Sequence, residues 1–219
     1  KDSFYLPFGI QKHYYDLFEN KNTNERKYDF CHIPGAGIYR KRMDLLIRIC
    51  RRFKIIPGSI YTSSSSSKEI IPPEIKDHYL KDDNVHSYHR WVMKASYFAD
   101  LNNSKVLVYP GIDYEPMWES KRPWEAYASG CLVLMRKPCT DVSLYPITEI
   151  CEWAVYDSYV SFIRKCRYLY KNQEFLEKIR KESFEKSQKY FTEKPITNYF
   201  LKIINDHRAV NNPELRNDR

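Results

Sequence analysis

The residues best suited to chemistry lie between Tyr109 and Met135, in the run YPGIDYEPMWESKRPWEAYASGCLVLM. An apolar strand ends at Pro110-Gly111, a loop rich in acids and aromatics follows, and a helix opens at Ser120-Lys121-Arg122-Pro123. Ser120 suits an N-cap, where its hydroxyl accepts from a backbone amide. Pro123 suits a first helical turn, where no amide hydrogen is needed. The unpaired amides and the helix dipole favour an anion there, and Lys121 and Arg122 add positive charge beside it. A diphosphate fits that description, although composition alone leaves open a plain surface helix with two solvated bases. Glu125 lies one turn further in, followed by Ala126 and the small pair Ser129-Gly130. Small residues let a helix approach a sheet closely, and a carboxylate at this point can accept hydrogen bonds from ribose hydroxyls. In isolation it reads as an exposed helix glutamate.

The elements that must position these residues alternate along the chain. Tyr28–Ile33 reads as a strand entering the turn Pro34-Gly35-Ala36-Gly37. Tyr39–Phe53 follows as a helix, with Met43, Leu45, Leu46, Ile49 and Cys50 on its apolar side. Lys54–Tyr61 is a second strand interrupted by Pro57-Gly58, and the serine run Thr62–Ser67 is a loop. A helix over Pro72–Leu80 and a weak strand over Asn84–Tyr88 precede a helix over Trp91–Leu101, with Trp91, Ala95, Phe98 and Ala99 on one face. Lys105–Tyr109, apolar from Val106, and Cys131–Met135, apolar throughout, are strands on either side of a helix over Lys121–Ser129. Ala154–Tyr156 is the last strand, and helices over Ser158–Tyr170, Gln173–Tyr190 and Ile196–Asn205 lead to a polar tail from Arg208.

Apolar strands separated by helices imply a mostly parallel sheet covered on both faces, a Rossmann-like three-layer α/β sandwich. Its ligands would bind outside the carboxyl ends of the strands. Residues 28–195 form this expected domain, 1–27 are a linker or the remnant of a preceding domain, and 196–219 are a C-terminal helix and tail. A first residue of Lys1 leads us to expect a piece of a longer chain.

Composition narrows the partners without choosing one. The chain has 219 residues, 42% of them hydrophobic, enough for one large core. A formal net charge of +8 favours an anionic partner, whether nucleic acid, membrane surface or phosphorylated small molecule. The six cysteines show no C-x-x-C pair and several fall in apolar runs, so we read them as reduced and structural, in a cytoplasmic protein. No apolar stretch approaches the roughly 20 residues that cross a bilayer. His86-x-x-His89 is too sparse for a metal site.

The same stretch resembles the donor half of GT-B glycosyltransferases of the glycosyltransferase group 1 family. That family carries an acidic loop, a helix with an E-A-x-A-x-G pattern and an apolar strand, which appear here as Glu125-Ala126-Tyr127-Ala128-Ser129-Gly130 and Cys131–Met135. The form Ser120–Glu125 is closest to the spore-maturation-type branch and similar to exostosin-like transferases. Tyr5–Ile10 looks like the family's interdomain linker, Tyr28–Arg42 like its first donor-domain strand, glycine turn and basic helix start, and Asn102–Val108 like the strand before the acidic loop.

The resemblance implies binding of a nucleoside-diphosphate sugar, UDP- or GDP-linked, with hexosyl or pentosyl transfer to a glycan or other hydroxyl acceptor and no metal or cofactor. Glu125 would hold the ribose. Arg40, Lys41 or Arg42, with Lys121 or Arg122, would neutralise the departing diphosphate, and Gly35 and Gly37 would let the backbone approach it. Retaining members have a second glutamate eight residues before the first; that position here is Met117, with Glu115 and Glu119 beside it to substitute. The base for an inverting reaction would come from a preceding N-terminal acceptor domain. Two other readings stand beside this one: a non-catalytic Rossmann-like interaction module, and a nucleic-acid binder. The second is disfavoured by the absence of a zinc-finger, RRM or KH signature and by bases spread along helices. A G-x-G-x-x-G after a strand is also missing, which argues against a dinucleotide enzyme.

Overall fold

Side chains alternate across an extended chain, so a strand that is apolar at every position must be covered on both sides. Phe30, Val106, Val108, Leu132 and Leu134 enter one core, and Cys31, Leu107, Val133 and Met135 enter another. A computed structural model of the chain describes residues 10, 12, 15, 21–33, 47, 49–62, 98–109, 121–137 and 146–211; for 62, 121, 146, 147 and 208–211 it describes the backbone only. The strands are β1 (Tyr28–His32), β2 (Ile60–Thr62), β3 (Ser104–Tyr109), β4 (Leu132–Arg136) and β5 (Val155–Tyr156). They form one sheet in the order β2-β1-β3-β4-β5, and every neighbouring pair is parallel. Phe30, Leu107, Leu132 and Leu134 are almost wholly buried. Each contributes about 1.5–3 kcal/mol on leaving water, which selects these runs as strands.

Helices cover both faces. The labelled ones are α1 (Lys121–Ala128), α2 (Pro146–Ile150), α3 (Tyr159–Lys171), α4 (Gln173–Tyr190) and α5 (Glu193–Asn211); residues 47, 49–52 and 98–102 are helical as well. One face is packed by α1, Phe98 and Leu101, together with Ile10, Tyr15 and Phe184. The other is packed by Ile47, Cys50 and the Phe162, Cys166 and Leu169 stripe of α3. The fold is therefore the Rossmann-like three-layer α/β sandwich that the sequence predicts. α4 serves both cores, with Leu176 and Ile179 in one and Phe184 in the other, and Arg180 between them bonded to Gly130 O at 2.7 Å.

Several elements differ in detail from the sequence reading. The second strand is only Ile60–Thr62, because Gly58 turns with φ 89° and Ser59 is held by the Asp29 carboxylate through its amide at 2.8 Å. A Cβ on residue 58 would come within 2.5 Å of Asp29 Oδ2, so glycine is required there. The helix before it buries Ile47 and Cys50, three apart, and leaves Ile49 exposed. Likewise Phe98 and Leu101 are buried while Ala99 faces out. α5 begins at Glu193 and its backbone runs to Asn211, past both expected limits. The described residues of 1–27 are fastened to α4 and the residue after it: Ile10 N donates to Phe191 O at 3.1 Å, Tyr15 Oη bonds Ser187 Oγ at 3.1 Å, and Thr23 N donates to Glu177 at 3.0 Å. The expected elements over 63–67, 72–80 and 84–88 lie outside the described residues.

Candidate functional site

In an open parallel sheet the ligand crevice forms at the carboxyl edge, where the strand order switches direction. Here β2 lies on one side of β1 and β3, β4 and β5 on the other, so the switch falls between β1 and β3. The carboxyl ends there are His32-Ile33 and Tyr109. Because β3 and β4 are parallel, α1 runs back between them and starts over this edge. Its far end is closed by Gly130 at φ 68°, with Cys131 N donating to Ala126 O at 2.8 Å and Gly130 N to Tyr127 O at 2.9 Å. That paired closure turns the chain directly into β4.

The sequence of α1 sets which side chains remain at the crevice. Trp124, Ala126, Tyr127 and Ala128 are buried, and the Trp124 ring centroid is 4.4 Å from that of Phe191. Pro123 is buried too, in a first turn where its missing donor costs nothing. Arg122 and Glu125 are left half-buried, three residues apart and therefore neighbours on the helix surface. Arg122 Nη1 donates to Ile33 O at 3.3 Å, which ties the first turn of α1 to the residue that follows β1.

Two further groups at this edge carry no signal in the sequence. His32 is buried at the end of β1, with Nδ1 3.4 Å from Val108 O. A carbonyl only accepts, so the contact is a hydrogen bond when the ring carries a proton on Nδ1. Tyr156, at the end of β5, donates from its hydroxyl to Tyr109 O at 3.4 Å and thereby joins the ends of β5 and β3. A histidine ending an apolar strand and one tyrosine among 19 give no spacing to act on. Nearby Asp157 is held below the usual carboxylate range, chiefly by its hydrogen bond with Ser158, whose own side chain caps α3 by accepting from Ser161 N at 3.2 Å.

Of the residues proposed from the sequence, Arg122 and Glu125 are brought together at the switch point. For Lys121 the backbone alone is described, as the first residue of α1. Gly35, Gly37, Arg40, Lys41, Arg42, Glu119 and Ser120 lie outside the described residues, as do His86 and His89. The described cysteines are free thiols, and burial raises Cys31, Cys50, Cys151 and Cys166 above the ordinary thiol range, which suits packing rather than nucleophilic attack. Among the described residues no group of three His, Cys, Asp or Glu side chains is placed to hold a metal ion, and no helix is long and apolar enough to cross a membrane. The chain matches no model of a known protein family and no curated protein.

Proposed function

We propose that the crevice over β1 and β3 binds the nucleoside-diphosphate part of a nucleotide sugar, and that the chain is the donor half of a glycosyltransferase. The observation that carries the reading is the Arg122 bridge from α1 to Ile33 O, with Glu125 one turn behind it at the switch point of a parallel sheet. Arg122 would stabilise the charge that develops on the departing diphosphate, assisted by Lys121 and the α1 amides. Arg40, Lys41 or Arg42 would add positive charge against the same diphosphate. Glu125 would accept from the ribose hydroxyls, as a carboxylate does where a helix follows a strand. Glu119, two residues before α1 in sequence, would contact the sugar.

On this reading the donor is UDP- or GDP-linked, and positive charge takes the place of a metal ion. The acceptor is a glycan or other hydroxyl compound presented by a preceding domain, and the setting is cytoplasmic. Transfer would then require that domain, while donor binding would not. Calorimetric titration with UDP, GDP, ADP and dTDP tests the reading on the chain itself. One nucleotide should bind selectively, at least tenfold more weakly to Arg122→Ala and to Glu125→Gln, since a charge-assisted hydrogen bond is worth about 1.5–3 kcal/mol. Folded protein that binds none of the four, alone or extended upstream, would sink it.

A further inference from the structure

Residues 45–62 and 158–173 contain no aspartate or glutamate, and the fold sets these two stretches side by side. Ile47 and Cys50 pack with Phe162, Cys166 and Leu169. Arg167 Nε donates to Ile55 O at 3.1 Å, and the Tyr170 ring lies against Gly58. The outward side of the pair carries Arg51, Arg52 and Lys54 from the first stretch and Arg164, Arg167 and Lys171 from α3, all exposed. Residues 160, 164, 167 and 171 recur at helical spacing, so they form one stripe along α3. Among the described residues none of these six bases is in an ion pair. Asp29, beside Gly58, is neutralised by Lys105 at 2.7 Å.

The same surface is unusually apolar between its charges. Phe53 is 65% exposed and Val160 63%, and Ile49 and Tyr170 are exposed on the same two stretches. Phe53 stands at a turn closed by Ile55 N on Cys50 O at 2.9 Å, in which Lys54 takes φ 51°. A side chain in that left-handed conformation costs roughly 1 kcal/mol, where glycine would cost nothing. A strained turn therefore holds an exposed phenyl ring between Arg52 and Lys54.

We propose that this face docks on an anionic phospholipid surface, with its bases over the headgroups and Phe53 seated among the upper acyl carbons. Clusters of about four to eight Lys and Arg recruit anionic lipid, and six lie here. An amphipathic surface adds affinity through the apolar side chains that it buries at the interface. Ile49 and Val160 favour lipid over nucleic acid, because an aliphatic side chain offers no ring to stack on a base. The inference stands apart from the nucleotide site and does not depend on it.

Co-sedimentation of the full chain with vesicles tests it, comparing phosphatidylcholine alone with a phosphatidylcholine–phosphatidylserine mixture. Partitioning should require phosphatidylserine and weaken with salt. Arg164→Ala and Lys171→Ala should each lower it about fivefold, and Phe53→Ala by about tenfold. All three side chains are exposed, and an unchanged melting temperature confirms that the variants fold. Partitioning indifferent to phosphatidylserine, or to all three substitutions, overturns the proposal. Tighter binding of a polyuridine oligonucleotide than of the vesicles, through the same residues, overturns it in favour of nucleic acid.

Discussion

Arginines bridge both edges of the sheet, and the two edges use them differently. At the amino-terminal edge Arg26 is buried and donates to the carbonyls of Lys21, Leu101, Ser104 and Ser129. Arg180, 1% exposed, donates to Gly130 O and pairs with Glu177 at 2.8 Å. Burial pushes Arg26 down to about 10, the mark of a charge removed from water. At the carboxyl edge Arg122 and Glu125 are half-buried on the surface of one helix. Guanidinium groups committed to main-chain carbonyls in the interior hold an edge shut, whereas those that reach solvent can meet a ligand. Neither charge nor the acceptor separates the two edges, since Arg122 too holds a main-chain carbonyl; burial does.

Arg180→Ala gives the largest expected effect. It leaves the Gly130 carbonyl without this donor and takes a guanidinium from Glu177, which keeps Lys181 and the Thr23 amide, and urea unfolding should report a loss of about 3 kcal/mol. Nucleotide affinity, measured where the variant is folded, should stay at its original value. Arg122→Ala should do the reverse, weakening nucleotide binding while costing about 1 kcal/mol of stability for its bond to Ile33 O. If Arg122→Ala proves as destabilising as Arg180→Ala, the carboxyl-edge arginine is a strut and the contrast fails. Gly130→Ala comes next. Its φ of 68° lies in the left-handed region, so a Cβ costs about 1–2 kcal/mol and loosens the turn from α1 into β4. Thermal melting should record that loss, and intact stability would mean that the turn tolerates a side chain.

Periodicity was enough to find the layers. Val106–Val108 and Cys131–Met135 are apolar throughout, and a doubly covered parallel strand accounts for that. The limits of α4 were equally legible from its apolar spacing, and those of α3 to within one residue, Ser158 proving to be its cap rather than its first helical residue. Less legible was which helical residues are buried. Ile49 and Cys50 look alike in sequence, and only docking against α3 buries the second. At the candidate site, Arg122 and Glu125 could be read from one short helix. The partner of Arg122 could not, since Ile33 contributes a backbone carbonyl and any residue has one. Arg26 and Arg180 were invisible as structural residues for the same reason: four of the carbonyls they hold lie 50 to 103 residues away in sequence.

The smallest expected effect comes from pH, again at the amino-terminal edge. Burial alone would raise Glu177, but hydrogen bonds and charge from Arg180, with Lys181 and the Thr23 amide, hold it down from the ordinary 4.5 to about 2. A carboxyl with a depressed native pKa favours folding by binding fewer protons in the native state. Its contribution is complete above about 4.5 and is lost as pH falls from there towards 2. Glu177 keeps a side-chain exposure of 20% and is partly screened, so the loss should be about 1 kcal/mol, well below the full shift. Urea midpoints of the wild-type chain and Glu177→Gln, followed from neutral pH to acid, isolate this term. The two curves should converge below pH 4, because the substitution removes the charge that acid neutralises. A constant gap at every pH would show that Glu177 acts by shape and hydrogen bonding, and that the charge on Arg180 is balanced elsewhere at that edge.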